Sequence, residues 1–333
     1  MDKSANKSPI RIGFLLIDDF SLISYSAAVE PLRAANLLAD NLVYEICSLA
    51  LNDVQSISSS GAIVPATHIK ADCLGLDCLF VVAGGEPTTF DDLSALSWLR
   101  RLSLQKCIIG GISGGPVILV KAGIMEGRRM TVHWDHAAYL EQYKASIMVE
   151  KSLYVNDRGR LTCAGGTASM DMMHMLITDH HGAAFAFKVS DWLLQTEIRP
   201  AFGPQRASII QRHGIHDEAL VLAIEMMENY LGPPRSLSNL ANAAGLGERQ
   251  LNRLFHKRLG TSAMKFYRIL RLNKGKDLLR NSTLNITEIA LSLGFSSSAH
   301  FTTSFSSFFD LTPTEFRKST PRIDLAPQYK INS

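Results

Sequence analysis

The stretch from Ile286 to Lys318, ITEIALSLGFSSSAHFTTSFSSFFDLTPTEFRK, constrains this chain more than any other. Ile286, Ile289, Ala290 and Leu293 recur at helical spacing and form one apolar face. Gly294 stops that helix, because a sharp turn needs a residue that tolerates positive φ. Ser296, Ser297 and Ser298 are caps for a second helix, whose own apolar face is Phe301, Phe305, Phe308 and Phe309. Asp310 and Pro313 are expected to end it. Two short helices about a glycine turn have the plan of a helix-turn-helix, whose second helix can enter a DNA major groove. A small helical bundle with no such role has the same pattern.

A second copy separates the two readings. In SLSNLANAAGLGERQLNRLFHKRL, Ser236 to Leu259, Ser236 caps, Leu237, Leu240 and Ala244 bury, Gly245 turns, and Leu251, Leu254 and Phe255 bury. A long helix, roughly Ser262 to Arg280, joins the two motifs, with Phe266, Ile269, Leu270, Leu278 and Leu279 apolar. The pair resembles the AraC/XylS family of transcription regulators. Leu246-Gly247 with Gln250-Leu251, Arg253-Leu254-Phe255, Arg271-Leu272, Leu278-Leu279, Ile289-Ala290, Gly294-Phe295, Ser297, His300-Phe301, Phe305, Phe309, Pro313 and Phe316-Arg317 carry the resemblance. Gly247 stands where a Ser cap is usual.

The chain has 333 residues, 46% of them hydrophobic, enough for two domains with a core each. A net charge of +3 does not make the whole molecule a polyanion binder by bulk charge. Its placement is uneven, however. From Glu248 to Lys276 that single acid faces Arg249, Arg253, Lys257, Arg258, Lys265, Arg268, Arg271, Lys274 and Lys276, a footprint suited to phosphates. Cys47, Cys73, Cys78, Cys107 and Cys163 are odd in number and contain no C-x-x-C pair, which points to reduced thiols. Met1 to Pro9 is polar and lacks a leader pattern, and no apolar run reaches the ~18 residues of a membrane span. A cytoplasmic protein with no membrane partner is expected.

The N-terminal part alternates strands and helices. Apolar runs at Ile10–Ile17, Val43–Leu49, Asp77–Ala83 and Cys107–Ile112 read as buried strands, with Ala62–Pro65 a hairpin arm. Helices are expected at Ser26–Ala39, Leu93–Ser103, Val117–Ala122, Ala168–His180 and about Ala183–Thr196. Leu153–Asn156 and Leu161–Cys163 flank a hairpin turn at Asp157-Arg158-Gly159. The expected class is α/β, a parallel-sheet sandwich of flavodoxin-like type, followed by an all-α domain. The domains are placed at 10–198 and 217–320, with helix-turn-helix motifs at 236–259 and 286–310. A linker at 199–216 carries Pro200, Gly203 and Pro204.

Ser113 ends the fourth run and precedes Gly114-Gly115-Pro116. A strand, a strained turn and a helix present a side chain beyond the strand ends, where ligands of such sheets bind. Residues 112–116 resemble the nucleophile turn of the PfpI-like, class-I glutamine-amidotransferase-like superfamily, where the position of Ser113 is Cys. Gly84-Gly85, residues 122–127, Thr131-Val132-His133-Trp134, residues 163–166 and Asp171 resemble the GlxA-type regulators, which join this domain to an AraC-type one. The supporting acid of the enzymatic members aligns near Ser24. With a hydroxyl at 113 and Gly114 next to it, the attacking group and its base are both missing. A hydrolase or amidotransferase with Ser113 as nucleophile is the rival reading.

The combined resemblance implies a non-enzymatic regulator, an activator, that senses an amino acid or betaine-like amine. It binds promoter DNA and works with RNA polymerase as a homodimer. The ligand-binding residues are expected to be Ser113, Gly114, Gly84, Gly85, His133, Trp134, Phe20 and Ser24. The aromatic residues Phe20, Tyr25 and Trp134 are candidates to face a quaternary amine. The DNA-binding residues are expected to be Arg249, Asn252, Arg253 and Lys257 in the first motif. In the second they are Ser297, Ser298, His300, Thr302 and Thr303, a face nearly without charge. No cofactor or metal is expected. His133 and His136 read as loop residues, Asp171 and His174 as a helix-face pair, and Met170, Met172, Met173 and Met175 as core.

Overall fold

The computed structural model describes residues 8–51, 54–69, 75–140, 143, 145–206, 215–232, 234–281 and 284–319. The side chains of residues 138 and 281 are not among those described, and Cys73 and residues 207–214 of the expected linker lie outside the described residues. Packing divides the chain between Gln205 and Arg206.

The first unit runs β1 (Ile10–Leu16), α1 (Leu22–Leu38), β2 (Tyr44–Ala50), β3 (Gln55–Ile57), β4 (Ile63–Pro65), β5 (Thr67–His68), β6 (Cys78–Ala83), α2 (Leu93–Ser103) and β7 (Ile108–Ser113). It continues with α3 (Gly115–Lys121), β8 (Arg129–Met130), α4 (Ala137–Leu140), β9 (Met148–Val149), β10 (Tyr154–Asp157), β11 (Arg160–Cys163), α5 (Ala168–His181) and α6 (Ala183–Trp192). Among the described residues seven strands form one sheet in the order β10-β11-β7-β6-β1-β2-β5. All neighbours are parallel except the β10–β11 hairpin. The strand period of two divides the core. Ile12, Phe14, Leu16, Phe80, Val82 and Cys163 face α1, α5 and α6, while Leu15, Leu79, Val81 and Ile109 face α2 and α3.

Several boundaries differ from those expected. α1 begins at Leu22 because the Ser21 hydroxyl caps it, accepting from Ser24 N. This places Ser24 on the helix. α6 stops at Trp192, and Leu194 takes φ 57° soon after. The expected linker starts too early, since residues 199–205 are fastened to the first unit. Leu153 N donates to Ala201 O at 2.7 Å, and Gln205 bonds to residues 131, 132 and 152.

The second unit holds α7 (Glu218–Asn229), α8 (Leu237–Ala243), α9 (Glu248–Leu259), α10 (Ala263–Asn281), α11 (Ile286–Ser292), α12 (Ser298–Phe309) and α13 (Pro313–Ser319). Helix α10 is shared between two cores. Its first half packs Ala263 and Tyr267 with Leu220, Leu240, Leu251 and Phe255. Its second half packs Leu272 and Leu279 with Ile289, Leu293, Phe301, Phe305 and Phe316. Gly275 lets the Phe301 ring against α10, where a Cβ would lie 2.8 Å from it. Asp310 does end α12, in a left-handed cap at φ 59°, but Pro313 opens α13 rather than simply stopping a helix.

Arg271 is not the phosphate contact expected from the charge count. Its Nη1 donates to Leu293 O and Gly294 O at 3.2 Å each, and its guanidinium lies 4.7 Å from the Phe295 ring centroid. A cation on the last carbonyls of α11 complements the end of that helix and holds the second turn in place. Burial pushes its pKa down from the ordinary arginine value.

Helix α3 lies so close to the sheet that Gly115 has no room for a side chain. A Cβ there would fall 1.9 Å from Val81 O, whereas one at Gly123 would meet nothing within 4 Å. Gly123→Ala therefore pays only for its φ of +74°, about 1–2 kcal/mol. Gly115→Ala must push α3 off the strand and should cost more than the ~1–3 kcal/mol of ordinary overpacking. Urea unfolding of the two variants, read by the sheet-containing unit, checks this order.

Candidate functional site

Ser113 is the last residue of β7 and takes φ 61°, a left-handed conformation that a non-glycine residue adopts under constraint. The constraint is visible on each side. Gly114 N donates to Ala83 O at 2.9 Å, and His133 N donates to Ser113 O at 3.2 Å. Gly165, at φ 84°, lies against the turn; a Cβ on it would stand 2.6 Å from Ser113 Cβ and 2.8 Å from Ser24 Oγ. Ser113 is only 6% exposed, and its hydroxyl makes no hydrogen bond among the described residues. Ser24 Oγ accepts from Gly166 N at 2.7 Å and donates to Ser21 Oγ at 3.0 Å. It ties α1 to the loop before α5 and has no acidic group to offer.

A cleft of about 170 Å³ opens beside this turn, lined by His133, Leu153, Gly165, Gly166, Thr167, Arg199 and Gln205 together with Ala164 and Ala168. Of the expected ligand residues only His133 lines it. Gly84, Gly85 and Gly114 are packing positions. A Cβ on Gly84 would meet Asp19 O at 2.5 Å, one on Gly85 Asp19 Cβ at 3.1 Å, and one on Gly114 Pro87 Cγ at 2.8 Å. Phe20 is wholly buried, edge-on to Tyr25, so the reading of its ring as part of an open mouth gives way to core packing. Tyr25 is bonded to Ser48 at 2.6 Å. Trp134 is 43% exposed, with its ring 5.1 Å from that of His133. His133 and His136 stand 5.9 Å apart, and among the described residues no set of three ligating side chains surrounds them.

The side chains that sequence reasoning missed are Thr167, Arg199 and Gln205. Asp171 is fully buried and is met by Arg199 at 2.6 and 2.9 Å through Nη2 and Nε, by Arg199 N at 3.0 Å and by Gln195 at 3.2 Å. Arg199 Nη2 also donates to Thr167 Oγ1 at 2.9 Å. His174 is not the partner of Asp171; its Nδ1 bonds to Ser190 at 2.8 Å. Burial lowers the His174 pKa, with Asp171 a smaller, opposing influence. Cys163 lies next to the cleft loop and accepts from Gly165 N at 3.4 Å. Burial pushes its thiol up to about 12, so at neutral pH it is protonated and is no substitute nucleophile.

In the second unit Arg249, Arg253 and Lys257 are exposed and lie four residues apart on α9, forming one basic stripe. Asn252 differs: its Oδ1 accepts from Ala263 N at 3.0 Å, at the start of α10. One lone pair of that oxygen is thus engaged within the fold, and the amide is tied to the start of α10. On α12 Ser297 is spent as the cap, accepting from His300 N at 3.1 Å, and His300 Nδ1 is paired with Ser296 at 3.1 Å. Ala299, His300, Thr303 and Ser307 are exposed, and Ser298 and Thr302 half-buried. No charged side chain occurs on α12.

Comparison with known proteins accounts for both units. Residues 10–179 match the DJ-1/PfpI family, and residues 240–319 match a helix-turn-helix domain family. The HTH-type transcriptional regulator GlxA of Rhizobium meliloti is 41% identical over 95% of this chain and 98% of its own length. The chain belongs to the GlxA-type HTH transcriptional regulators. The regulator CdhR of Pseudomonas aeruginosa is 36% identical over 92% of this chain and 91% of its own. A crystal structure of an AraC family transcriptional regulator from Pseudomonas putida superposes with a TM-score of 0.52 at 26% identity, covering 56% of this chain and 100% of its own. This GlxA-type chain is thus a DNA-binding regulator with a PfpI-like first unit and an AraC-type second one. No helix among its described residues is long and apolar enough to cross a membrane.

The role of Asn252 leads to a separable outcome. Asn252→Ala leaves the buried Ala263 N–H without an acceptor and should lower stability by ~1–3 kcal/mol. Asn252→Asp keeps the acceptor, so its stability should stay near wild type while its added negative charge weakens DNA binding. Thermal unfolding and DNA titration of both variants test the assignment.

Proposed function

We propose that this regulator is an activator that senses a small nitrogen-containing metabolite, an amino acid or a betaine-like amine, through a non-catalytic PfpI-like unit. The observation that carries the reading is the turn at Ser113. Its strained φ and its position behind an open cleft suit a ligand contact, while its hydroxyl faces no base among the described residues. A serine needs an adjacent base to act as a nucleophile. His133 approaches it through the main chain, and His133 Nδ1 accepts from Asp135 N at 3.3 Å. Buried thiols supply no alternative. Binding is read out as a change in promoter occupancy by a cytoplasmic homodimer acting with RNA polymerase.

DNA recognition in this proposal rests on the first motif. Arg249 and Arg253 reach bases or phosphates, Lys257 and the exposed cations of α10 hold the backbone, and α12 offers the hydroxyls of Ser298, Thr302 and Thr303 with His300 at its edge. The uncharged face of α12 contributes little to salt-dependent affinity.

Two measurements test the proposal. Ser113→Ala removes one hydrogen bond to the effector, worth about 0.5–1.5 kcal/mol. It should weaken the response to a panel of amino acids and methylated amines while leaving DNA affinity unchanged. A covalent adduct on Ser113, or turnover lost with this substitution, sinks the sensor reading. Arg253→Ala should cost ~1–3 kcal/mol of DNA affinity and relax sequence choice at its base, whereas Thr303→Ala should cost much less. Thr303→Arg should tighten binding and steepen the salt slope by about 0.9. If Thr303→Ala proves as damaging as Arg253→Ala, the inequality of the two helices is wrong.

A further inference from the structure

Helix α6 has one face packed and one face bare. Ala186, Val189 and Ser190 are buried where it meets α1 and α5. Ala183, Ala184, Phe187, Lys188, Asp191 and Trp192 are all exposed. Two of these carry large aromatic rings, and Phe187 and Trp192 are each 53% exposed. Just past the helix end Leu194 is 86% exposed and takes φ 57°, a left-handed conformation uncommon for a residue with a side chain. Large apolar side chains grouped on one rim of a polar surface mark an interaction site. The two charges on the face narrow the partner. Lys188 and Asp191 lie three residues apart and have opposite signs, yet neither forms an ion pair among the described residues.

We infer that this face of α6 is a contact between two copies of the chain, paired antiparallel about a two-fold axis that passes between Val189 and Ser190. The inference rests on the homodimer proposed above and gives it a surface. A two-fold contact is isologous, so each residue must find its complement within the same patch of the other copy. Turning α6 about that axis sets Phe187 opposite the partner's Trp192 and Lys188 opposite the partner's Asp191, and each pairing occurs twice. One axis thus serves both pairs, ring against ring and cation against anion. The helix period agrees. With ~100° per residue, Asp191 and Lys188 fall between Phe187 and Trp192 around the helix, which puts the charges inside the aromatic pair. The small side chains of Ala183 and Ala184 leave room near the place where the partner's Leu194 arrives. A parallel pairing fails on charge, because it sets Lys188 against the partner's Lys188 and Asp191 against the partner's Asp191. A helix of ten residues is ~15 Å long, shorter than the span of a standard interface of ~800 Å² per partner. The dimer it makes is therefore dissociable and follows protein concentration. Pairing also gives one particle two DNA-binding units, and the second binds at an effective concentration that a monomer lacks.

The test is sedimentation of the full-length chain over a concentration series, with three substitutions. Lys188→Glu sets acid against acid at both symmetry-related pairs, and Asp191→Lys sets cation against cation. Each alone should raise the dimer dissociation constant at least about tenfold. Mixed in equal amounts, the two variants should form a heterodimer near wild-type strength, because each reversed charge then meets its opposite. Trp192→Ala carries no new charge and should weaken the dimer at unchanged helix content by circular dichroism; it decides the matter if a charge variant does not fold. Single variants as dimeric as the wild type overturn the inference and leave the homodimer standing on another surface. Folded charge variants that lose the dimer and do not recover it on mixing overturn the pairing as well. A wild-type chain that stays monomeric at every concentration overturns both the face and the homodimer.

Discussion

The buried carboxylate of Asp171 is the constraint on which the first unit depends. A charge with no exposed surface survives only when paired and hydrogen-bonded. Asp171 achieves this by drawing in Arg199 through three contacts and Gln195 through a fourth. The consequence is topological. A segment rich in proline and glycine, which would otherwise leave the surface, is held against the start of α5 and becomes the wall of the cleft. Removing one partner of such a pair costs ~3–5 kcal/mol, because the other is left buried and uncompensated. The interaction that shapes the site therefore also secures the end of the unit.

The turn at Ser113 is the second constraint within the first unit. A left-handed residue at a strand end is strained, and neighbours must over-determine it. Here they do so with Gly165, Gly114 and the main chain of His133. That arrangement holds a hydroxyl at 113, with the Ser24 hydroxyl bonded to Gly166 N beside it. What results is a closely packed turn beside the cleft. Close packing suits the sensor role proposed above, because a ligand can shift an equilibrium only by its differential affinity for the two states.

The DNA-binding unit is organised by α10, which supplies one half of each of two small cores. Seven-residue helices such as α8 and α11 are far too short to be stable alone, so their folding comes from this shared packing. Polar side chains then lock the turns. Arg271 binds the carbonyls that close α11, and Arg317 Nη2 donates to Leu284 O at 2.6 Å. Each of these cations is consumed in structure. The basic charge left exposed is concentrated on α9, which is why the two motifs, alike in backbone plan, differ in what they can offer a phosphate.

Local pattern was enough for the fold. Short continuous apolar runs marked the buried strands, glycine after a 3.6-period face marked both turns, and the residues around Ser113 marked the elbow, because these signals depend on near neighbours in the chain. Family-specific residues extended this to the role of the whole protein. The site was legible only at the elbow and at His133. Thr167, Arg199 and Gln205 carried no local signal, since Arg199 meets its partner 28 residues away and Gln205 meets Thr131 at a separation of 74. Charge counts likewise could not tell Arg271, which holds a turn, from Arg253, which is exposed. Nor could they foresee that Asn252 would close the start of α10. By itself the sequence determined two units, their classes and the two glycine turns. Tertiary structure alone decided which polar atoms were left unpaired, because hydrogen bonds between distant segments are settled only when those segments pack.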